Sequence, residues 1–184
     1  MKIPEAQGLV FDIARHIASR LEYNQPELAL GAALTLVGAI KSGRFISEPG
    51  VHPNFYSCLV ASSGSGKSKL QSAVTEILAR SNLTDVLLGK PASESGLLRS
   101  LAEQPRRLLL WDEFGVALSE LTSAKAASYR VHILGTITDL FSCAGSTYIG
   151  REYADKKRVD IKDPMLSILA ASTPSRFFSS LNDN

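Results

Sequence analysis

The sequence predicts an α/β fold in which a mostly parallel sheet is flanked by helices and preceded by an N-terminal helical segment. Two observations carry that expectation. Short apolar runs, at Phe55–Val60, Asp85–Leu88, Arg107–Trp111 and Leu166–Ala171, alternate with longer segments whose apolar residues recur at three- and four-residue steps. Strand–loop–helix units of this kind favour parallel strands joined by helical crossovers, with both sheet faces covered. Length sets the frame: 184 residues suffice for one domain with a real core and are too few for two ordinary ones.

Residues 1–50 are expected to form a helical segment packed on a core made by residues 51–184. From Ile3 to Leu21, Leu9, Val10, Ile13, Ile17 and Leu21 share one helical face, with Asp12, Arg15 and Arg20 between them. Asn24 stands where an N-cap would open the next helix, with Pro26 in its first turn and Glu27 three residues in. That helix, to about Lys41, is apolar most of the way round, which predicts burial. Gly43, Pro49, Gly50 and Pro53 then break the pattern and mark a loop.

Within the core, Phe55–Val60 predicts a buried strand, and Lys67–Arg80 predicts a helix built on Leu70, Val74, Ile77 and Leu78. Asp85–Leu88 suits a second short strand. Ser93 opens a helix to Glu103 that carries Leu97, Leu98 and Leu101 on one face. Arg107–Trp111 is a strand ending on two carboxylates, and Tyr129–Cys143 a helix with Ile133, Ile137, Leu140 and Phe141 as its stripe. Arg151–Asp163 is charged and irregular, with a hairpin as the favoured reading. Leu166–Ala171 closes the sheet and ends in Ser172, Thr173 and Pro174.

Composition excludes several classes. With 45% hydrophobic and 21% charged residues the chain has the make-up of a soluble globular protein. Its net charge of +2 is too small to argue for a nucleic-acid partner. The longest apolar stretch, Leu28–Ile40, is too short for a membrane span and contains Gly31, Thr35 and Gly38. Acids at Glu5 and Asp12 are residues that a signal peptide avoids, so the expected location is cytoplasmic. Cys58 and Cys143 lie far apart and outside any CxxC pair, which supports neither zinc nor a disulfide; Cys58 reads as a buried thiol. His16, His52 and His132 are scattered and form no constellation. The basic run Lys156-Lys157-Arg158, flanked by Asp155 and Asp160, is read as a solvated loop ahead of a phosphate-binding patch.

The segment with the sharpest chemistry is Ala61-Ser62-Ser63-Gly64-Ser65-Gly66-Lys67-Ser68, which matches the phosphate-binding loop pattern with alanine at its first position. Small residues let the backbone wrap closely, so that successive N–H groups point inward at a phosphate. A helix starting near Lys67 adds its unpaired donors and the positive end of its dipole. Lys67 is expected at the β- and γ-phosphates of ATP and Ser68 on Mg²⁺, with Ser63, Gly64, Ser65, Gly66 and Lys69 completing the cradle. An apolar strand in and a periodic helix out argue against a mere flexible Gly/Ser turn. The fold expectation thereby narrows to a P-loop nucleotide-hydrolase sheet.

Leu108-Leu109-Leu110-Trp111-Asp112-Glu113 runs an apolar strand into paired acids. Alone it is weak, since acids at strand ends are common; after a phosphate loop it gains meaning. Asp112 is the expected Mg²⁺ residue and Glu113 the base that polarises the attacking water, while Trp111 reads as packing. At the third strand end, Ser172 or Thr173 is a candidate to orient that water or sense the γ-phosphate, and an ordinary strand-to-turn transition weighs equally; Thr173 is the residue carried forward. Among Arg151, Arg158 and Arg176, each individually better read as a surface arginine, Arg151 is the best candidate for a finger serving a neighbouring subunit's nucleotide.

The motifs together resemble a family of P-loop ATPases from bacterial, phage and plasmid replication proteins, often joined to primase domains and described as primase-associated or replicative helicases. The residues that carry the resemblance span most of the chain. They are Gln25-Pro26-Glu27-Leu28-Ala29-Leu30, Asn54-Phe55-Tyr56 leading into Ser63–Ser68, Ala92-Ser93-Glu94-Ser95-Gly96-Leu97, Trp111-Asp112-Glu113-Phe114-Gly115, Arg151 ahead of Asp163-Pro164-Met165-Leu166-Ser167-Ile168, and Ala171-Ser172-Thr173-Pro174. The resemblance implies a RecA-like or AAA-type core, a homo-oligomeric ring and an ATPase linked to single-stranded DNA. It also implies that a C-terminal part of the core is missing, because family members continue past this point with another helix, a strand and more arginines.

Three readings follow: an ATP-driven motor subunit on DNA, a nucleotide-gated regulatory or defence switch that moves no strand, and a module that holds nucleotide without turnover. A small-molecule kinase is disfavoured by the lack of an arginine-rich lid segment.

Overall fold

The computed structural model describes residues 7–122, 128–152 and 157–182, and its centre is a four-stranded, all-parallel sheet with helices on both faces. In chain order the elements are α1 (Leu9–Ser19), α2 (Pro26–Lys41), β1 (Tyr56–Val60), α3 (Lys67–Arg80), β2 (Leu87–Leu88), α4 (Glu94–Glu103) and β3 (Arg106–Trp111). They continue with α5 (Phe114–Thr122), α6 (Ser128–Ser142), β4 (Thr147–Tyr148), β5 (Ile161–Lys162), β6 (Met165–Ser172) and α7 (Pro174–Asn182). Strand order is β1-β6-β3-β2, so the last long strand in sequence lies between the first and third.

That central position shows in the burial pattern. Every residue of β6 is buried, as a parallel strand covered on both faces requires. Successive side chains alternate between two cores. Leu166, Ile168 and Ala170 of β6 join Leu109 and Trp111 of β3 against α4, α5 and α6. Leu169 and Leu108 point the other way and pack with α1, α2 and α3.

Helix α2 lies close to the sheet because its inner face is mostly small: Ala29, Ala32, Ala33, Thr35, Gly38 and Ala39 are buried, with Leu36 the large side chain among them. Thr35 donates to the Gly31 carbonyl at 2.8 Å and meets the half-buried Ser57 hydroxyl at 2.7 Å, which satisfies the buried Thr35 hydroxyl. A Cβ added at Gly38 would stand 2.2 Å from the Pro53 carbonyl oxygen.

Several expectations are shifted. The first helix begins at Leu9, and residues 3–6 of the predicted span lie outside the described residues. Gln25, not Asn24, occupies the cap of α2, because Pro26 fixes the first helical turn, and no side-chain cap bond forms. Ser93 does cap α4, accepting from the Gly96 N–H at 3.1 Å. The predicted strand Asp85–Leu88 is a 3₁₀ turn over Thr84–Val86 followed by only two paired residues. The hairpin starts earlier than Arg151: Thr147 and Tyr148 pair antiparallel with Lys162 and Ile161. Its base is fixed by Asp163, whose carboxylate accepts the Gly145 N–H at 3.1 Å and pairs with Arg106 at 3.3 Å. Helices α5 and α7 have no counterpart in the expectation. α5 is short and follows the acids directly, and α7 begins at a proline that reads as a breaker but is compatible with the first turn of a helix.

Gly38→Ala sets two effects against each other. Alanine favours a helix interior by about 1 kcal/mol, whereas a Cβ against a backbone carbonyl forces α2 away from the sheet at a cost of about 1–3 kcal/mol. Because the clashing atom is main chain, the second effect should win, giving a lower urea midpoint; an unchanged or higher midpoint would contradict this packing.

Candidate functional site

The sheet register brings three strand ends together. Val60 is level with Ser172, and Trp111 with Ala170, so the residues following β1, β6 and β3 emerge side by side at the carboxyl edge. The Ala61 N–H donates to the Ser172 carbonyl at 3.1 Å, extending the ladder one residue into the loop. Ligand sites of open α/β sheets form at this edge.

From Ala61 the chain turns through Gly64 (φ 76°) and Gly66 (φ 88°), both in the left-handed region that glycine adopts without strain. Gly66 caps α3, whose first turn carries no acid, so its unpaired N–H groups and dipole favour an anion. The Lys67 ammonium donates to the carbonyls of Ala61 (2.6 Å) and Ser62 (2.7 Å) and to the Ser65 hydroxyl (3.3 Å), which holds it at the mouth of the loop.

The acids arrive from β3. Ser68 donates its hydroxyl to the Asp112 carboxylate at 3.5 Å, joining residues 44 apart in sequence. The other Asp112 oxygen accepts the Glu113 N–H at 2.9 Å. Glu113 itself has φ 52°, an uncommon conformation for a residue with a side chain, and its carbonyl accepts from Val116 and Ala117 to start α5. The sharp turn leaves Asp112 and Glu113 exposed beside the loop, while Trp111 is buried edge-on to Phe114 at 5.3 Å, as a packing residue.

One cavity of about 330 Å³ collects these groups: Ser63 to Lys69, Asp112, Glu113, Thr173 and Glu22. Of the two candidates after β6, it is Thr173 that lines the cavity. Ser172 is buried and structural, its hydroxyl accepting the Gly115 N–H at 3.2 Å. Gly115 is there because α5 and α7 touch: an added Cβ would stand 2.5 Å from that hydroxyl and 2.9 Å from the Phe177 nitrogen.

Arg151 does not join this cavity. It pairs with the buried Glu94 at 3.8 Å and lies 2.5 Å from His132 Nδ1, beside α4 and α6. Arg158 is bound to Glu152 and Asp160, and Arg176 lies in the first turn of α7. Glu22 is the residue that sequence reasoning missed. It follows α1 and ion-pairs with Lys69, whose hydrogen bond and charge hold the Glu22 carboxyl below its usual range. Leu21 packs beside it, 3.2 Å from where a Gly66 Cβ would be. No local pattern around Glu22 signals this, because the contact depends on how α1 packs against α3. Both Lys67 and Lys69 line the cavity, Lys69 paired with Glu22 and Lys67 held by the loop's own carbonyls.

Compared with models of known families and with curated proteins, the chain matches none.

Ser172 and Thr173 separate structure from chemistry. Ser172→Ala leaves the buried Gly115 N–H without its acceptor and should cost about 1–3 kcal/mol in urea unfolding. Thr173→Ala, at a partly exposed position, should fall within about 0.5 kcal/mol of wild type. The opposite ranking would mean that the two hydroxyls exchange places.

Proposed function

We propose that the chain is an ATP-binding and ATP-hydrolysing P-loop domain. The observation that carries the reading is the approach of the Ser68 hydroxyl to the Asp112 carboxylate at the carboxyl edge, with the loop on one side and Glu113 on the other. The donor set fits Mg²⁺, which is usually held by one or two protein oxygens and completed by substrate phosphates and water. Among the described residues no group of three or more His, Cys, Asp or Glu gathers to bind a metal unaided. Ser68 and Asp112 would hold the ion, which when bound neutralises charge on the phosphate oxygens.

The protein's own part is positioning and proton handling. The N–H groups of Gly64 to Ser68 and the start of α3 bind the phosphates, and Lys67 supplies a fixed positive charge. Glu113, exposed and braced by the turn into α5, takes the proton of the attacking water. Thr173, just past the end of the strand between loop and acids, orients that water. The setting we propose is the one the motif order resembles: a homo-oligomeric motor that couples hydrolysis to single-stranded DNA. Among the described residues no helix is long and apolar enough to cross a membrane.

Lys67→Ala should abolish nucleotide binding or turnover, and unchanged affinity would place the site elsewhere. Glu113→Gln should keep ATP binding and reduce kcat by about 10²-fold or more, the scale of a lost general base; full turnover would remove Glu113 from that role. Phosphate release that rises strongly with single-stranded DNA supports the motor, and release indifferent to DNA but tied to assembly points to a switch.

A further inference from the structure

A second cavity, of about 350 Å³, opens between α4 and the connection that joins β4 to β5. It shares no lining residue with the phosphate cavity. Its lining is chemically divided. Leu98, Ala102 and Val159 give an apolar floor, and Ser95, Arg99, Arg151 and Lys157 stand around it, with no carboxylate among the described lining residues.

The three cations differ in their engagement. Arg151 is anchored from behind by Glu94, itself buried and accepting the Thr136 hydroxyl at 2.7 Å. Arg99 and Lys157 make no ion pair among the described residues, and both are exposed. The basic run of the sequence therefore splits. Lys156 lies outside the described residues, Arg158 is neutralised by Glu152 and Asp160, and Lys157 lines the cavity. Glu94 offsets Arg151 in part, but Arg99 and Lys157 add like charge around the same apolar concavity, a repulsion that a bound anion relieves. A carboxylate has two acceptor oxygens for three cationic arms. A phosphate ester can meet all three, the fork of an arginine taking two of its oxygens together. The floor then accounts for the rest of the ligand, since an aromatic base or sugar covers the open surface of Ala102 and Val159, backed by the buried Leu98, where inorganic phosphate would leave it bare.

We infer that this cavity is a second phosphate site, which takes one nucleotide unit with its phosphate on Arg99, Arg151 and Lys157 and its base on the apolar floor. The unit is either a free nucleotide or one residue of a single strand, and the chemistry is shared. The site does not rest on ATP turnover at the first cavity and can be read with that cavity disabled.

The experiment uses the full chain carrying Lys67→Ala, titrated separately with a fluorescein-labelled oligothymidylate and with a fluorescent ADP. At least one probe should bind. Adding Arg99→Ala and Lys157→Ala should weaken that binding about tenfold or more, and for the strand should reduce the salt slope by about 0.7 per cation removed. Arg99→Lys with Lys157→Arg should retain binding. This exchange keeps the charge and so separates loss of the site from loss of the fold. Binding of the oligonucleotide but not ADP identifies a strand, and the reverse identifies a free nucleotide. The inference is overturned if neither probe binds the Lys67→Ala chain, or if the double alanine variant binds as tightly as its parent.

Discussion

Strand β6 is buried on both faces along its whole length, and its place between β1 and β3 sets the geometry of everything at the carboxyl edge. A parallel sheet spaces neighbouring strands by about 4.8 Å, so inserting one strand separates the loop strand from the acidic strand by about twice that distance. The gap is bridged because the loop climbs over the edge before α3 begins, which brings Ser68 back to within 3.5 Å of Asp112. The inserted strand also contributes Thr173 to the middle of the cavity and, through Ser172, ties down the first turn of α5. One buried element thus spaces the loop from the acids and holds the turn that presents them.

The helices beneath the site work in the same direction. Ion pairs from Arg20 to Glu76 and from Glu22 to Lys69 join the end of α1 to α3, while Leu21 lies against the loop glycine Gly66. Exposed pairs of this kind contribute little to stability individually. Their value here is positional, because they fix the N-terminal helices against the strand–loop–helix unit that carries the cradle.

Much of this was legible in the residues, for identifiable reasons. Strands β3 and β6 announce themselves as apolar runs because both faces of a central parallel strand are dry, while β1, at the sheet edge with only Leu59 buried, is marked by its aromatic and branched residues. Helix α3 matches its predicted span of Lys67–Arg80, since the loop glycines mark its start and the periodic leucines its course. The cradle and the acids were visible because their chemistry is carried by contiguous residues. What stayed hidden depends on contacts remote in sequence. α5 is too short for its period to rise above noise. The choice between Ser172 and Thr173 turns on which hydroxyl Gly115 takes. Glu22 reaches the cavity only through the packing of α1, and the division of Lys157 from Arg158 depends on where Glu152 and Asp160 fall.

Position 113 shows how such a site trades against the fold that carries it. A left-handed backbone costs a residue with a Cβ on the order of 1 kcal/mol or more, and glycine none. By conformational criteria alone glycine is the better residue there, and a search for thermal tolerance would be drawn to it. The glutamate that stands in its place gives up some resistance to heat for a carboxylate aimed out of the turn.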